Sequence, residues 1–206
     1  KHPLAIKDFC RFSIAAFNNK PDYLLLLGKA VYPEEVRVSN VADTLCLVPT
    51  YGNPPSDYMF SNKIVDTTFA PRLATGRIAA QNIADVTNYL EKAQAHEAAR
   101  QNCPDDWLKH VLHFIGGNNG FEQQSIKAFM DQNEAAIRDT SMGCTVTNYY
   151  KISTDPIEYI QAVELQARID SGVSIMTFFG HAAGSTFDIA TDIPQNWHNA
   201  GRYPVV

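Results

Sequence analysis

Apolar positions along the chain follow two alternating periods. Residues 4–18 (LAIKDFCRFSIAAFN) set Leu4, Ile6, Phe9, Phe12, Ile14 and Phe17 at roughly helical spacing, and Asn18, Asn19 and Pro21 break the pattern. YLLLLG (Tyr23 to Gly28) is a short all-apolar run, which predicts a buried parallel strand. TLCLVPTYG (44–52) alternates and then breaks at Pro49, predicting a strand that ends in a loop. GNPPSDYMFSN reads as loop and LATGRIA as a short strand. Asn82 fits a helix N-cap with Asp85 at the third position, and Ile83, Val86, Leu90 and Ala93 fall on one face of a helix to about Arg100.

The second half repeats the alternation more clearly. HVLHFIGG predicts a strand ending in two glycines, and GFEQQSIKAFMDQNEAAIRD a helix with Ile126, Phe129, Met130 and Ile137 inward. CTVTNYY is a β-branched strand pattern. In DPIEYIQAVELQARIDSG, Asp155 fits an N-cap, Pro156 the first helical position, Glu158 a capping box and Gly172 the position past the end. VSIMTFF is the next strand, PQNWHNAG a helical turn or loop, and RYPVV the start of another strand. Strand–helix–strand order predicts an α/β fold with mostly parallel sheets and right-handed crossovers. The polar, proline-bearing QNCPDD (101–106) marks the expected boundary between an N-terminal α/β lobe (1–100) and a second lobe (101–206).

Composition narrows the function classes. With 45% hydrophobic and 19% charged residues, the chain is ordinary globular protein rather than disorder. A net charge of −5 and no Lys/Arg run argue against a nucleic-acid surface. No apolar run approaches the roughly 18 residues of a membrane helix. Cys10, Cys46, Cys103 and Cys144 are widely spaced, with no CxxC pair and no zinc spacing, so no metal ligand is assigned.

Candidate chemistry sits where strands end. In open parallel sheets ligands gather at the carboxyl ends of the strands, and two strands here run into glycine-rich turns, FIGGNNG (114–120) and FFGHAAG (178–184). Small residues allow backbone amides to approach a substrate, and His181 at such a point is placed to move protons. Its plainer role is a hydrogen-bonded structural residue. FIGGNNG lacks both the GK[ST] ending of a phosphate loop and the GxGxxG spacing of a dinucleotide site, so it reads as a tight turn. His110 and His113 alternate with apolar neighbours and read as structural; His96, His198 and His2 have weak claims. Asp57 and Asp66 read as turn formers, Trp107 and Trp197 as packing anchors.

DYLLLLGKA, VPTYGNPPSDYMFS, APRLATGRIAAQNIADVTNYLEKAQAHE, DWLKHVLHFIGG and VSIMTFFGHAAGSTFD together resemble the gingipain-type cysteine peptidase family, in family order and over roughly residues 5–206. The resemblance is nearest to peptidase-like domains of large secreted surface proteins of gliding-type bacteria. It implies a caspase-like fold in two lobes and a Cys–His dyad. The family histidine follows a strand in a Gly-His step, matched by Gly180-His181, and acts as general base toward a cysteine thiol. Backbone around Gly180 and Ala182 would help hold the oxyanion; the family usually has glycine where Ala182 stands. The family also orients its histidine with an acidic residue from the loop after the strand matching VLHFIGG, where Asn118, Asn119 and Glu122 are the candidates. Its cysteine ends the next strand, about 30 residues past the histidine. Val206 comes before any such residue, so the nucleophile is expected outside these residues and this stretch alone is expected to be inactive.

By the same resemblance the substrate is a protein or peptide, the location secreted or cell-surface by type IX secretion, and calcium a cofactor with no ligands assignable here. A non-catalytic surface or adhesion module that keeps the fold is the alternative. A self-contained enzyme using Cys144 is a third reading, disfavoured because Cys144 opens its strand and His181 closes one.

Overall fold

The computed structural model describes residues 1–65, 69–102, 106–139, 141–160, 163–182, 186–191 and 194–206. They form two compact units, Lys1–Glu91 and Lys92–Val206. The division falls inside a helix; of the polar stretch 101–106, residues 103–105 lie outside the described residues, as does Asp66.

The first unit holds α1 (Pro3–Ala16), β1 (Tyr23–Leu27), α2 (Pro33–Val38), α3 (Asn40–Leu45) and β2 (Ala74–Ile78), with a 3-10 turn at Asp57–Phe60. β1 and β2 pair in parallel, Tyr23 opposite Ala74 and Leu27 opposite Ile78. Cys10 and Ile14 of α1 pack on Leu73, with Leu24 against them. Only one face of β1 is covered: Leu26 is buried, while Tyr23, Leu25 and Leu27 are exposed. The all-apolar run therefore overstates the burial of this strand.

Two local expectations differ here. The alternating stretch 44–52 forms no strand, because α3 occupies its start. The Ser39 hydroxyl caps that helix by accepting the Ala42 N–H at 3.2 Å, and a satisfied cap outweighs a weak period-2 pattern. Asp57 is more than a turn former. It binds the Arg77 guanidinium bidentately at 2.7 and 2.8 Å, while Arg77 also donates to the carbonyls of Gly28, Val48 and Pro49. One cation on β2 thus ties the end of β1 to the segments around residues 48–49 and 57.

α4 (Ile83–Asn102) leads out of this unit. Asn82 accepts the Asp85 N–H and Asp85 accepts the Gln81 N–H, a reciprocal cap. Its expected inward face is not buried: Ile83 and Leu90 are exposed.

The second unit continues with β3 (His110–Ile115), α5 (Gly120–Arg138), β4 (Thr145–Tyr150), β5 (Glu158–Tyr159), α6 (Val163–Ser171), β6 (Ile175–Phe179) and β7 (Ile189–Ala190). Its main sheet is parallel in the order β4-β3-β6, with Phe114 opposite Tyr149 and Phe178. Val205 extends it by a parallel bridge to Ile175. β3 is covered on both faces, but β6 is the outer full strand and leaves Ile175 and Phe179 partly exposed. Leu112, Phe114, Leu165, Ile169, Val173, Met176 and Ile189 form the core between sheet and α6. Each such side chain contributes about 1.5–3 kcal/mol by burial. A stack of rings, Tyr149–Phe114–Phe178–Phe187, crosses the sheet at 5.3, 4.4 and 4.6 Å between centroids.

Two more corrections fall here. Phe129 is exposed on α5, with the Phe179 ring edge-on to it, while Met130 is the buried anchor. Asp155 to Ile160 is not helical. Glu158 and Tyr159 pair with Ile189 and Ala190 instead, and the Glu158 carboxylate accepts the N–H groups of Ile152 and Ser153. The long-range ladder and these two bonds satisfy the segment better than a capping box would. Gly172 does end α6, at φ +108° against Trp107, where a side chain would be strained and obstructed.

Candidate active site

β3, β4 and β6 run parallel, so their carboxyl ends share one edge of the sheet, and the residues that follow them meet there. After β3 the chain turns through Gly116 and Gly117 into α5. Gly117 has φ +130°, and a Cβ there would stand 2.9 Å from the Gln123 backbone nitrogen, so only glycine makes this turn. Asn119 caps α5 by accepting the Glu122 N–H at 3.0 Å. The Glu122 carboxylate folds back to accept the Asn118 N–H through Oε2 at 2.7 Å. Its other oxygen, Oε1, is 2.8 Å from His181 Nε2.

His181 and Glu122 therefore form a pair, 50% and 32% exposed at their side chains. The Asn118 N–H and the imidazole hold the Glu122 carboxyl below the usual glutamate range. An ionised carboxylate only accepts, so Nε2 carries the proton of a neutral His181 ring and Nδ1 keeps its lone pair. Of the three candidate orienters, Glu122 reaches the ring; Asn119 is spent on the cap, and Asn118 contributes its backbone N–H.

Gly180 closes β6 and precedes His181; Ala182 follows it, bridged antiparallel to Phe187. The space above Gly180 and Gly116 is taken by the Asp188 carboxylate, whose Oδ1 lies 2.3 Å from where a Cβ on either glycine would be. Asp188 is a residue the sequence reading passed over. An Asp seven residues past a Gly-His step carries no local signal, since its partners come from distant strands.

Cys144 precedes β4, at the amino edge of the sheet, so a strand of about 20 Å separates its edge from that of His181. Cys10 and Cys46 are buried in the first unit, and Cys103 lies outside the described residues. Of the remaining five histidines, four meet a polar partner and one is buried in a strand. His2 caps α1, His96 and His110 lie 3.3 Å from the Tyr203 and Gly172 carbonyls, His198 neighbours Asp170, and His113 is buried in β3. Among the described residues no group of three or more His, Cys, Asp or Glu is placed to hold a metal ion.

A family model, Peptidase family C25, matches residues 1–206. The chain belongs to this cysteine peptidase family. Two solved structures share the fold: the crystal structure of the Arg-specific cysteine proteinase gingipain R (18% identity, TM-score 0.65) and the complex of Porphyromonas gingivalis RgpB pro- and mature domains (16%, TM-score 0.63). Each alignment covers 98% of this chain, and 43% and 44% of the respective structures. The C25 chain described here thus spans less than half the length of the peptidases it matches. No curated protein matches it. The family match and this shared caspase-like fold agree with the α/β, mostly parallel architecture read from the sequence.

Proposed function

We propose that the protein is a gingipain-type cysteine endopeptidase in which His181 is the general base, oriented by Glu122. The observation that carries this reading is the 2.8 Å contact between His181 Nε2 and Glu122 Oε1 at the carboxyl edge of a parallel sheet. The attacking thiol belongs to a part of the peptidase beyond these residues, and the 206 residues alone are inactive.

Glu122 fixes the ring with Nε2–H donated, so Nδ1 faces the reaction as acceptor. It takes the thiol proton as sulfur attacks the scissile carbonyl. The imidazolium that results is stabilised by the carboxylate and then protonates the leaving amine. Water, deprotonated by the same Nδ1, hydrolyses the thioester. The Ala182 amide and amides beside the cysteine would receive the oxyanion. The substrate is a protein or peptide. The family resemblance supports a secreted or cell-surface location, reached by type IX secretion, and among the described residues no helix is long and apolar enough to cross a membrane.

The test compares the 206-residue chain with a form extended through the next strand, by peptide hydrolysis and by alkylation of the reactive thiol. The extended form should cleave, and His181→Ala should lower its turnover by about 100- to 10,000-fold. Full activity in the His181→Ala form would overturn the assignment. An inactive extended form whose thiol resists alkylation would make the domain a surface or adhesion module instead.

A further inference from the structure

We propose that Asp188 is a positioning residue for the His181–Glu122 pair. Its buried carboxylate, set against Lys151, ties the loop that presents Glu122 to the strand end that presents His181. This rests on the reading of His181 as general base, but its test reads geometry rather than turnover.

Four bonds converge on Asp188. Its Oδ2 accepts the Gly117 N–H at 2.8 Å, immediately before the Asn118–Asn119 segment that holds and caps Glu122. Its own N–H donates to the His181 carbonyl at 2.8 Å, and its carbonyl accepts the Glu158 N–H at 2.9 Å. The fourth is ionic: Lys151 Nζ stands 3.8 Å from Oδ2. Lys151 itself follows β4 and donates its N–H to the Ile115 carbonyl at 2.8 Å. The ends of β3, β4 and β6 thus all meet at one residue, β3 and β4 through its carboxylate and β6 through its backbone N–H.

The pair is costly to keep. Both residues are buried, at 4% and 2% exposure, and Lys151 Nζ and Asp188 Oδ1 make no hydrogen bond among the described residues. An apolar pair of the same volume would ordinarily serve stability as well or better. Room for the carboxylate is also reserved at two places, since Gly116 and Gly180 both lack the Cβ that would collide with Oδ1. A charge held at such cost between the two loops of the site is better explained by what it aligns than by the packing it provides.

The experiment follows the Glu122 carboxyl by carbon NMR titration, in the whole chain and in two neutralised pairs. In the unmodified chain His181→Asn should raise the Glu122 midpoint, because one of the groups holding it down is lost. Lys151→Met with Asp188→Asn keeps an acceptor for the Gly117 N–H, and there His181→Asn should produce the same rise. Lys151→Met with Asp188→Ala removes the acceptor, and the rise should shrink to less than about half. A full rise in the alanine pair, or loss of the rise in the asparagine pair, would overturn the proposal. Should the alanine pair not fold, Gly116→Ala displaces the carboxylate instead, with the same shrinkage expected and a full rise again refuting it. Turnover that tolerates His181→Ala would sink the general-base reading while leaving this contact result standing.

Discussion

His181 Nε2 and Glu122 Oε1 meet at 2.8 Å across 59 positions of sequence. They meet because β3 and β6 are parallel neighbours, so the loops that follow them leave the sheet side by side. On the proposed mechanism, Glu122→Gln in a form extended through the next strand should lower kcat by about 10- to 100-fold with little change in KM, since it disturbs the ring and not the substrate.

The same carboxylate sets an acid limit. Its folded pKa is depressed, so the stability it contributes is fully present above the ordinary glutamate value of about 4.3 and is lost as pH falls through the folded value. The His181–Glu122 contact should therefore survive past about pH 4.3, which carbon titration of Glu122 will show. A Glu122 midpoint at or above the ordinary value would contradict the geometry.

His113 sets a limit at milder acidity. Burial pushes its imidazole below the usual value, with Glu134 and Asn148 acting weakly the other way. Its contribution is intact above about pH 6.5 and declines as pH falls below that, because the unfolded chain then binds the proton better. The melting temperature should drop between about pH 7.5 and about pH 5.5, and His113→Leu should flatten that drop. An equal slope in the variant would place the titrating group elsewhere.

Glycines at the site edge should respond according to the space above them. Gly116→Ala and Gly180→Ala each force a methyl into the Asp188 carboxylate and should cost about 1–3 kcal/mol in urea unfolding. Gly120, with nothing within 4 Å at the start of α5, should instead gain up to about 1 kcal/mol as alanine.

In the first unit, Asp57→Asn should cost about 2–3 kcal/mol, since it leaves the partly buried Arg77 guanidinium without its counter-charge. Denaturant unfolding measures it; a loss below about 0.5 kcal/mol would reduce the ion pair to a surface contact.

Much of this protein is decided locally and so can be read from the chain. Apolar runs bounded by Gly, Asn and Pro place β1, β3, β4 and β6, and the side-chain cap at Asn82 starts α4, because propensity and capping act within a turn or two of the residue concerned. Gly180-His181 at a strand end was legible for the same reason. What surrounds His181 was not. Glu122 and not Asn118 or Asn119 reaches its ring, Asp188 fills the space over two glycines, and residues 158–159 pair as strand despite a sequence that caps like a helix. β1 and β6 likewise look fully buried in one dimension and are half covered in three. Each of these depends on which distant strand ends become neighbours. Local pattern carries no information on that, and only the pairing of strands decides it, β4-β3-β6 around His181, β5-β7 at residues 158–159 and β1-β2 in the first unit.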